Sequence, residues 1–396
     1  MVCYSHTFIN MKNFMTTSVS KSPPLPVSPP DVEWGKRPSY KEIYSRTHIE
    51  DKPAASKVIT DVLLAPIALI VGIIQSVIFL IILFVKGISY KTGIKGYLID
   101  QWVLQQTNCD QDLQNSVAKK INLLSNGTIG RQLTIFDENK NRIEAAVIEK
   151  EDSEAAKTLR ATAARKAVDP KDRKWIIYDT GVMSNYQVSM NKIINIHKAF
   201  DANIICANSA GVGTSTGHAL TPDELVMPTE AILRHLINTL GVDKKNITLM
   251  GHSLGGGKAA RVAAKEEFAG VHLLLDRSFN TFSHAAKGFK LAAFPFNFLL
   301  AGLVNWALPF ETTTAIPKIK GNVTAVCAPK DPVVTFDNSA VHIRDPHLKK
   351  IFVKFELDGS DLENSSFKKK FSSQHTLSHT PKVLDYIWKV HNRVIA

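Results

Sequence analysis

Cysteine is scarce: Cys3, Cys109, Cys206 and Cys327 are the only four in 396 residues, and none forms a CxxC pair. That excludes a disulfide scaffold, leaves no sequence signature for a structural zinc site, and mildly favours a reducing compartment. Cys206 and Cys327 fall inside apolar runs and read as small core residues. The first thirty residues lack a long apolar run, so they do not form a cleavable secretion signal; Pro23, Pro24, Pro26, Pro29 and Pro30 instead make an extended leader. The phosphate-binding loops are also missing. A P-loop needs Ser or Thr after Lys258, where Ala259 stands, and glycine at His252; a dinucleotide fingerprint from Gly211 needs glycine at Thr216. The formal net charge is +12, but no RNA-recognition, zinc-finger or arginine-rich pattern accompanies it, so nucleic acid is not an expected partner. No ligand cluster for a metal or cofactor stands out.

Apolar material is plentiful. The chain is 44% hydrophobic and 21% charged, enough for a large core. Val62 to Val85 runs 24 residues without a charge, with Gln75 and Ser76 its distinctly polar members. A segment of that length and all-round apolarity spans a hydrocarbon core, and the reading is a single hydrophobic membrane helix, with a re-entrant or interfacial helix bent at Pro66 or Gly72 as the alternative. Lys41, Arg46, Lys52 and Lys57 precede it and Lys86, Lys91 and Lys95 follow, so loop charge sets no orientation. The expected organisation is a Pro-rich leader (1–56), a membrane-associated segment (57–95), a helical connector (96–130) and a catalytic-type domain (131–396).

Within 131–396, "RQLTIFDENKNRIEAAVIEK" predicts two strands around a turn at Glu138-Asn139-Lys140. "KWIIYDTGV", "NIICANSAG", "NITLMGHS", "VHLLLDRSF", "NVTAVCAP" and "KKIFVKFEL" are further strands, and the stretches between most of them have helical pattern. Continuous apolar strands alternating with helices predict a mostly parallel sheet covered on both faces. Pro228 is expected to split the helix in "TPDELVMPTEAILRHLINTLGV" into two parts.

Gly251-His252-Ser253-Leu254-Gly255 has the form G-x-S-x-G, with strand-like "ITLM" before it and helix-like "GGGKAARVAAKEEF" after it. That order suits a sharp strand-to-helix turn with an exposed serine at its apex. The small flanking residues let strand and helix approach, and the helix N-terminus favours developing negative charge near Ser253. The backbone N–H of Leu254 is then an oxyanion donor.

On these residues the chain resembles the α/β-hydrolase superfamily over about residues 131 to 396. "MGHSLGGG" is close to the nucleophile motif of lipases and esterases, "ANSAGVGTSTG" to the glycine turn after the fourth strand, and "YDTGVMSN" to the oxyanion loop after the third. Many relatives carry His-Gly in that loop; here it is Thr180-Gly181, and the second oxyanion donor implied is the N–H of Val182, with Met183 as the alternative. The layout of an apolar anchor ahead of such a domain, with "LLLDRSF", also resembles CHLPS-type proteins of chlamydiae and hydrolase-like proteins of other intracellular bacteria.

The resemblance implies a triad in the order Ser, acid, His. Asp331, just past the next-to-last strand, is the expected acid, with Asp276 as the alternative. His375 is the expected base and His379 the alternative, the one not used being a surface or capping histidine. His252 is expected to pack beside the site. Leu291 to Phe310 is uncharged over 20 residues, and an apolar cap insertion is expected at about 280–318. Together these imply a membrane-associated serine hydrolase acting on esters or thioesters with apolar acyl groups, without a cofactor or metal. Lipid or acyl ester would be its substrate and a membrane, bacterial or host, its location. The alternatives are a catalytically silent adaptor or effector on the same fold, which the departure at Thr180 favours, and a serine peptidase.

Overall fold

The computed structural model describes residues 111–122, 128–150, 172–182, 184–283, 285, 302–303, 305–329, 331, 333–353, 375 and 378–392. The Pro-rich leader, the apolar segment at 62–85, Met183, the basic run near 368–370, and residues 291–301 and 304 of the apolar stretch lie outside them. Among the described residues no helix is long and apolar enough to cross a membrane.

The elements run α1 (Gln111–Asn122), β1 (Thr128–Phe136), β2 (Arg142–Lys150), β3 (Trp175–Asp179), α2 (Tyr186–Phe200) and β4 (Asn203–Ala207). They continue with α3 (Pro222–Arg234), β5 (Ile247–His252), α4 (Leu254–Ala263) and β6 (His272–Asp276). The chain then forms α5 (Thr312–Ala315), β7 (Val323–Cys327), β8 (Leu348–Phe352) and α6 (Pro381–Asn392). The eight strands form one sheet in the order β1-β2-β4-β3-β5-β6-β7-β8. The expected hairpin is β1–β2, turning at Lys140 with φ 60°. β2 alone runs against the rest, pairing antiparallel with both β1 and β4; the pairs from β4 through β8 are parallel. That order, with a helix after each of β3 and β5, is the α/β-hydrolase fold.

Strand parity divides the core. Trp175 and Ile177 of β3, Leu249 of β5, and Leu273 and Leu275 of β6 face the layer of α3, α4 and α5. Ile176, Tyr178, Met250 and Leu274 face the layer of α1, α2 and α6. Both sheet faces are therefore buried, which is why the central strands are continuous apolar runs rather than alternating ones. Cys206 and Cys327 are buried among them, and burial pushes the Cys327 thiol up to about 12.

Two expectations need correction here. α3 continues through Pro228, and the break falls later, where His235–Thr239 forms a turn of π-helix. Leu225 and Val226 before the proline, and Ile232 and Leu233 after it, are all buried in one core. Their common burial outweighs one missing N–H and the ring's steric cost. His379 also departs from its expected surface or capping place, since it is buried.

The chain leaves β3 for β4 on one side, then crosses to β5 on the other side of β3. The strand order reverses between β3 and β5, and in open parallel sheets ligands bind in the crevice outside the carboxyl ends of such a pair. Ser253 follows β5 and Thr180-Gly181 follows β3.

Candidate active site

Ser253 sits at φ 53°, ψ −120°, between the last residue of β5 and the first of α4. A non-glycine residue there is strained by about 1–3 kcal/mol, so the surroundings must hold it. They do so from three sides. The Ser253 N–H donates to the Asp276 carbonyl (3.1 Å), and its own carbonyl accepts from the Gly256 N–H (3.0 Å) and from Ser278 Oγ (2.9 Å). The small residues are a steric requirement: a methyl on Gly251 would collide with the Gly255 carbonyl, and one on Gly255 with the Asp179 carbonyl. Strand, turn and helix thus meet backbone to backbone. Leu254 opens α4, so its N–H has no acceptor one turn earlier in the helix and remains available at the positive end of the helix dipole.

Asp331 lies four residues beyond β7. Its Oδ1 accepts the N–H groups of Val333 (2.8 Å) and Val334 (3.0 Å), which fixes the carboxylate in its turn. Its Oδ2 meets Nδ1 of His375 at 2.7 Å. A carboxylate can only accept, so Nδ1 carries the proton and Nε2 of the neutral ring is left with its lone pair. The His375 ring lies against His252, centroids 4.8 Å apart and tilted by 38°. His252 immediately precedes Ser253, so the imidazole–carboxylate pair lies against the residue before the Ser253 turn. Asp331 and His375 are both buried.

The loop after β3 closes the other side. A Cβ built on Gly181 would stand 3.3 Å from Cβ of Ser253 and 3.6 Å from Cδ2 of His252, so this backbone runs directly past the serine. Thr180 uses its side chain locally: Oγ1 donates to the Ser184 carbonyl at 3.3 Å. Asn185 then caps α2, accepting the Val188 N–H at 2.8 Å. Val182, next in the chain, is half-buried.

The alternative acid and base are brought together too, but with each other. His379 Nε2 meets Asp276 Oδ1 at 2.8 Å. His379 is buried rather than a surface or capping residue, because the segment leading into α6 runs inward over Asp276, while Thr380 takes the capping position. Asp276, fully buried, also accepts from Arg277 Nε and a terminal nitrogen (both 2.9 Å), Lys192 Nζ (2.8 Å) and His252 Nδ1 (3.2 Å). Burial alone would raise the Asp276 carboxyl, but Arg277 and then Lys192 outweigh it and hold the group well below the usual range. Burial lowers Lys192 to about 8 against the pull of Asp276, and lowers His379 to about 4. Burial, reinforced by Lys192, keeps His252 well below its ordinary value. The sequence reading did not single out Lys192. Its position in "SMNKIIN" of α2 is amphipathic, and nothing local marks one lysine as buried. Arg277 carried a weak signal, a charged Asp-Arg pair directly after four strand residues.

Chemically, the arrangement offers a hydroxyl on a strained turn at a helix N-terminus, an oriented imidazole packed against the residue before it, and two backbone segments meeting at the turn. Among the described residues no group of three or more His, Cys, Asp or Glu is placed to hold a metal ion.

No family model matches the chain. Among solved structures, the chain is similar to the Pyrococcus furiosus esterase Pf2001, at 13% identity and TM-score 0.46 over 68% of this chain and 96% of that one. It is similar to an alpha-beta hydrolase from Vibrio vulnificus at 15% identity and TM-score 0.49, covering 64% and 84%. A hyperthermophilic esterase from Pyrobaculum calidifontis is similar at 14% identity and TM-score 0.43, covering 72% and 93%.

Proposed function

We propose that this chain is a serine hydrolase that cleaves carboxylic esters or thioesters with apolar acyl groups through an acyl-enzyme. The observation that carries the reading is the strained turn at Ser253 with the Asp331–His375 pair packed beside it. Ser253 Oγ attacks the carbonyl carbon while Nε2 of His375 takes its proton. Asp331 holds the imidazole in the tautomer that can do so and stabilises the imidazolium. The N–H groups of Leu254 and Val182 receive the negative charge on the former carbonyl oxygen. The imidazolium then protonates the leaving alcohol or thiol, and water, activated by the same histidine, releases the acid.

The apolar acyl preference rests on the uncharged stretch from Leu291 to Phe310, whose described part buries Leu308 and Phe310 in the core and exposes Trp306. The membrane association rests on the sequence of 62–85, the feature behind the likeness to CHLPS-type proteins. A fluorophosphonate probe tests the central claim: it labels the wild type and not Ser253→Ala. Absence of labelling in both would support the silent-adaptor reading instead. Acyl esters of graded length, with and without liposomes, test the substrate class, and p-nitroanilide peptides turned over faster than esters would replace it with a peptidase.

A further inference from the structure

An oxyanion hole built from two separate segments works only if their separation is fixed. Here one donor, Leu254, opens α4, and the other, Val182, follows β3. Misplacement of a reacting group by ~1 Å costs about 100-fold in rate, so something must register α4 on the β3 loop. One candidate stands out: a buried ion pair between them. Lys258 lies one helical turn beyond Leu254, and its Nζ is 3.1 Å from Oδ1 of Asp179, the residue directly before Thr180-Gly181. Both side chains are at most 6% exposed. Thr229 of α3 donates to both Asp179 carboxylate oxygens, at 2.9 and 3.1 Å. Lys258 also donates to Ser209 Oγ in the loop after β4, at 3.5 Å. Strand parity explains the meeting: Asp179 shares the face of Trp175 and Ile177, which is the face α3 and α4 cover. The same helix touches the same strand end through Gly255, whose missing side chain makes room for the Asp179 carbonyl.

A buried Lys–Asp pair is an inefficient way to gain stability, since an apolar pair of equal volume does as well or better. What an apolar pair lacks is direction. Resting on the hydrolase reading above, we infer that Asp179 and Lys258, with Thr229, are positioning residues for the oxyanion hole. They tie the N–H of Leu254 and the N–H of Val182 into one rigid frame. They touch no substrate and transfer no proton. The pair lies on the sheet face opposite the Asp276 network, so the turn at Ser253 is gripped from both sides by buried charge.

The test uses the full chain as wild type, Lys258→Met, Asp179→Asn and the double variant. The readouts are kcat and KM for a p-nitrophenyl acyl ester, the inhibition constant of an aryl trifluoromethyl ketone, and Tm. That ketone adds to the serine hydroxyl, and its oxygen then occupies the hole. Each single variant is expected to lose about 10- to 100-fold in kcat with KM within about twofold, and to bind the ketone more weakly by a similar factor. Each single also leaves one buried charge unpaired and loses Tm; the double removes both charges and recovers Tm. The positioning role requires that the double keep the kcat loss after Tm has returned. Wild-type kcat in any of these variants, or kcat and Tm returning together in the double, overturns it as a purely structural pair. If the singles fail to fold, the double still decides. A wild type that neither turns over ester nor reacts with a fluorophosphonate overturns the hydrolase reading itself, and the positioning role with it, which is a distinct outcome.

Discussion

Two acid–histidine pairs stand near Ser253, Asp331–His375 and Asp276–His379, and replacing each acid by asparagine separates their roles. Among the described residues, Asp276 is the carboxylate that pairs with both Arg277 and Lys192, all three at most 12% exposed. Asp276→Asn keeps the shape and deletes the charge, leaving two buried cations facing an amide. Breaking a buried pair from one side costs about 3–5 kcal/mol. A domain of this size loses about 2–4 °C of Tm per kcal/mol, so the expected drop is about 10 °C. Among the described residues, Asp331 faces no such pair of cations. Its asparagine variant can still accept from Val333 and Val334 through Oδ1, so Tm should fall by no more than about 3 °C, the effect of one altered hydrogen bond. Its amide nitrogen, however, would face Nδ1 of His375 and turn the imidazole into the wrong tautomer. The expected loss in kcat is about 10³- to 10⁴-fold. Scanning fluorimetry and steady-state ester hydrolysis on the two variants read both quantities. If Asp276→Asn loses turnover as deeply as expected for Asp331→Asn while holding its Tm, Asp276 is the acid and the assignment is wrong. If Asp331→Asn keeps more than about a tenth of the wild-type rate, the triad logic fails outright.

Gly255→Ala should cost about 1–3 kcal/mol by overpacking and depress kcat more than Ser253-distant glycine variants such as Gly241→Ala do; its new methyl must push the Asp179 and Thr180 carbonyls away from the serine turn, and an active, stable Gly255→Ala would contradict that geometry. His391, buried between Thr248 and Thr324, is pushed down to about 3 by burial. The unfolded chain therefore binds a proton below about pH 6.5 that the native chain refuses, so stability falls as pH drops from there toward 3, by about 1.4 kcal/mol per unit. Urea unfolding at pH 7.5 and 5.0 should show a smaller difference in His391→Gln than in wild type, and equal differences would refute it. The full chain should sediment with liposomes; a chain left in the supernatant refutes the membrane assignment without touching the Ser253 chemistry.

Local patterns were the most readable part of this molecule. The hairpin at Glu138-Asn139-Lys140, the apolar β3, β5 and β6, and the glycine-flanked serine all depend on neighbours within a few residues, and all lie where the sequence implies. Asp331 and His375 were proposed from chain order relative to Ser253, and the folded chain hydrogen-bonds them to each other. Pro228 misled because local propensity was weighed against one helix in isolation, whereas buried residues on both sides of it decide the outcome. Lys192 and Lys258 were not readable. Each of these two is a cation in a helix of ordinary composition, and only the parity of a distant strand determines whether it meets a carboxylate.

Chain position proposed two acids and two histidines, and electrostatic surroundings now give a reason to choose between them. A triad acid has to stabilise a positive charge that appears on its histidine during the reaction. Asp276 already balances Arg277 and Lys192, and a further positive charge on His379, where burial lowers the pKa to about 4, would add a third cation to one carboxylate. Asp331 has one oxygen committed to neutral backbone donors and the other to His375. Among the described residues, an imidazolium there meets a carboxylate whose charge is not already shared between two cations. The same reasoning gives Asp276 a different task. Its backbone carbonyl receives the Ser253 N–H and its side chain holds His252, so the cation-saturated acid is suited to fixing the turn rather than to answering a charge that comes and goes.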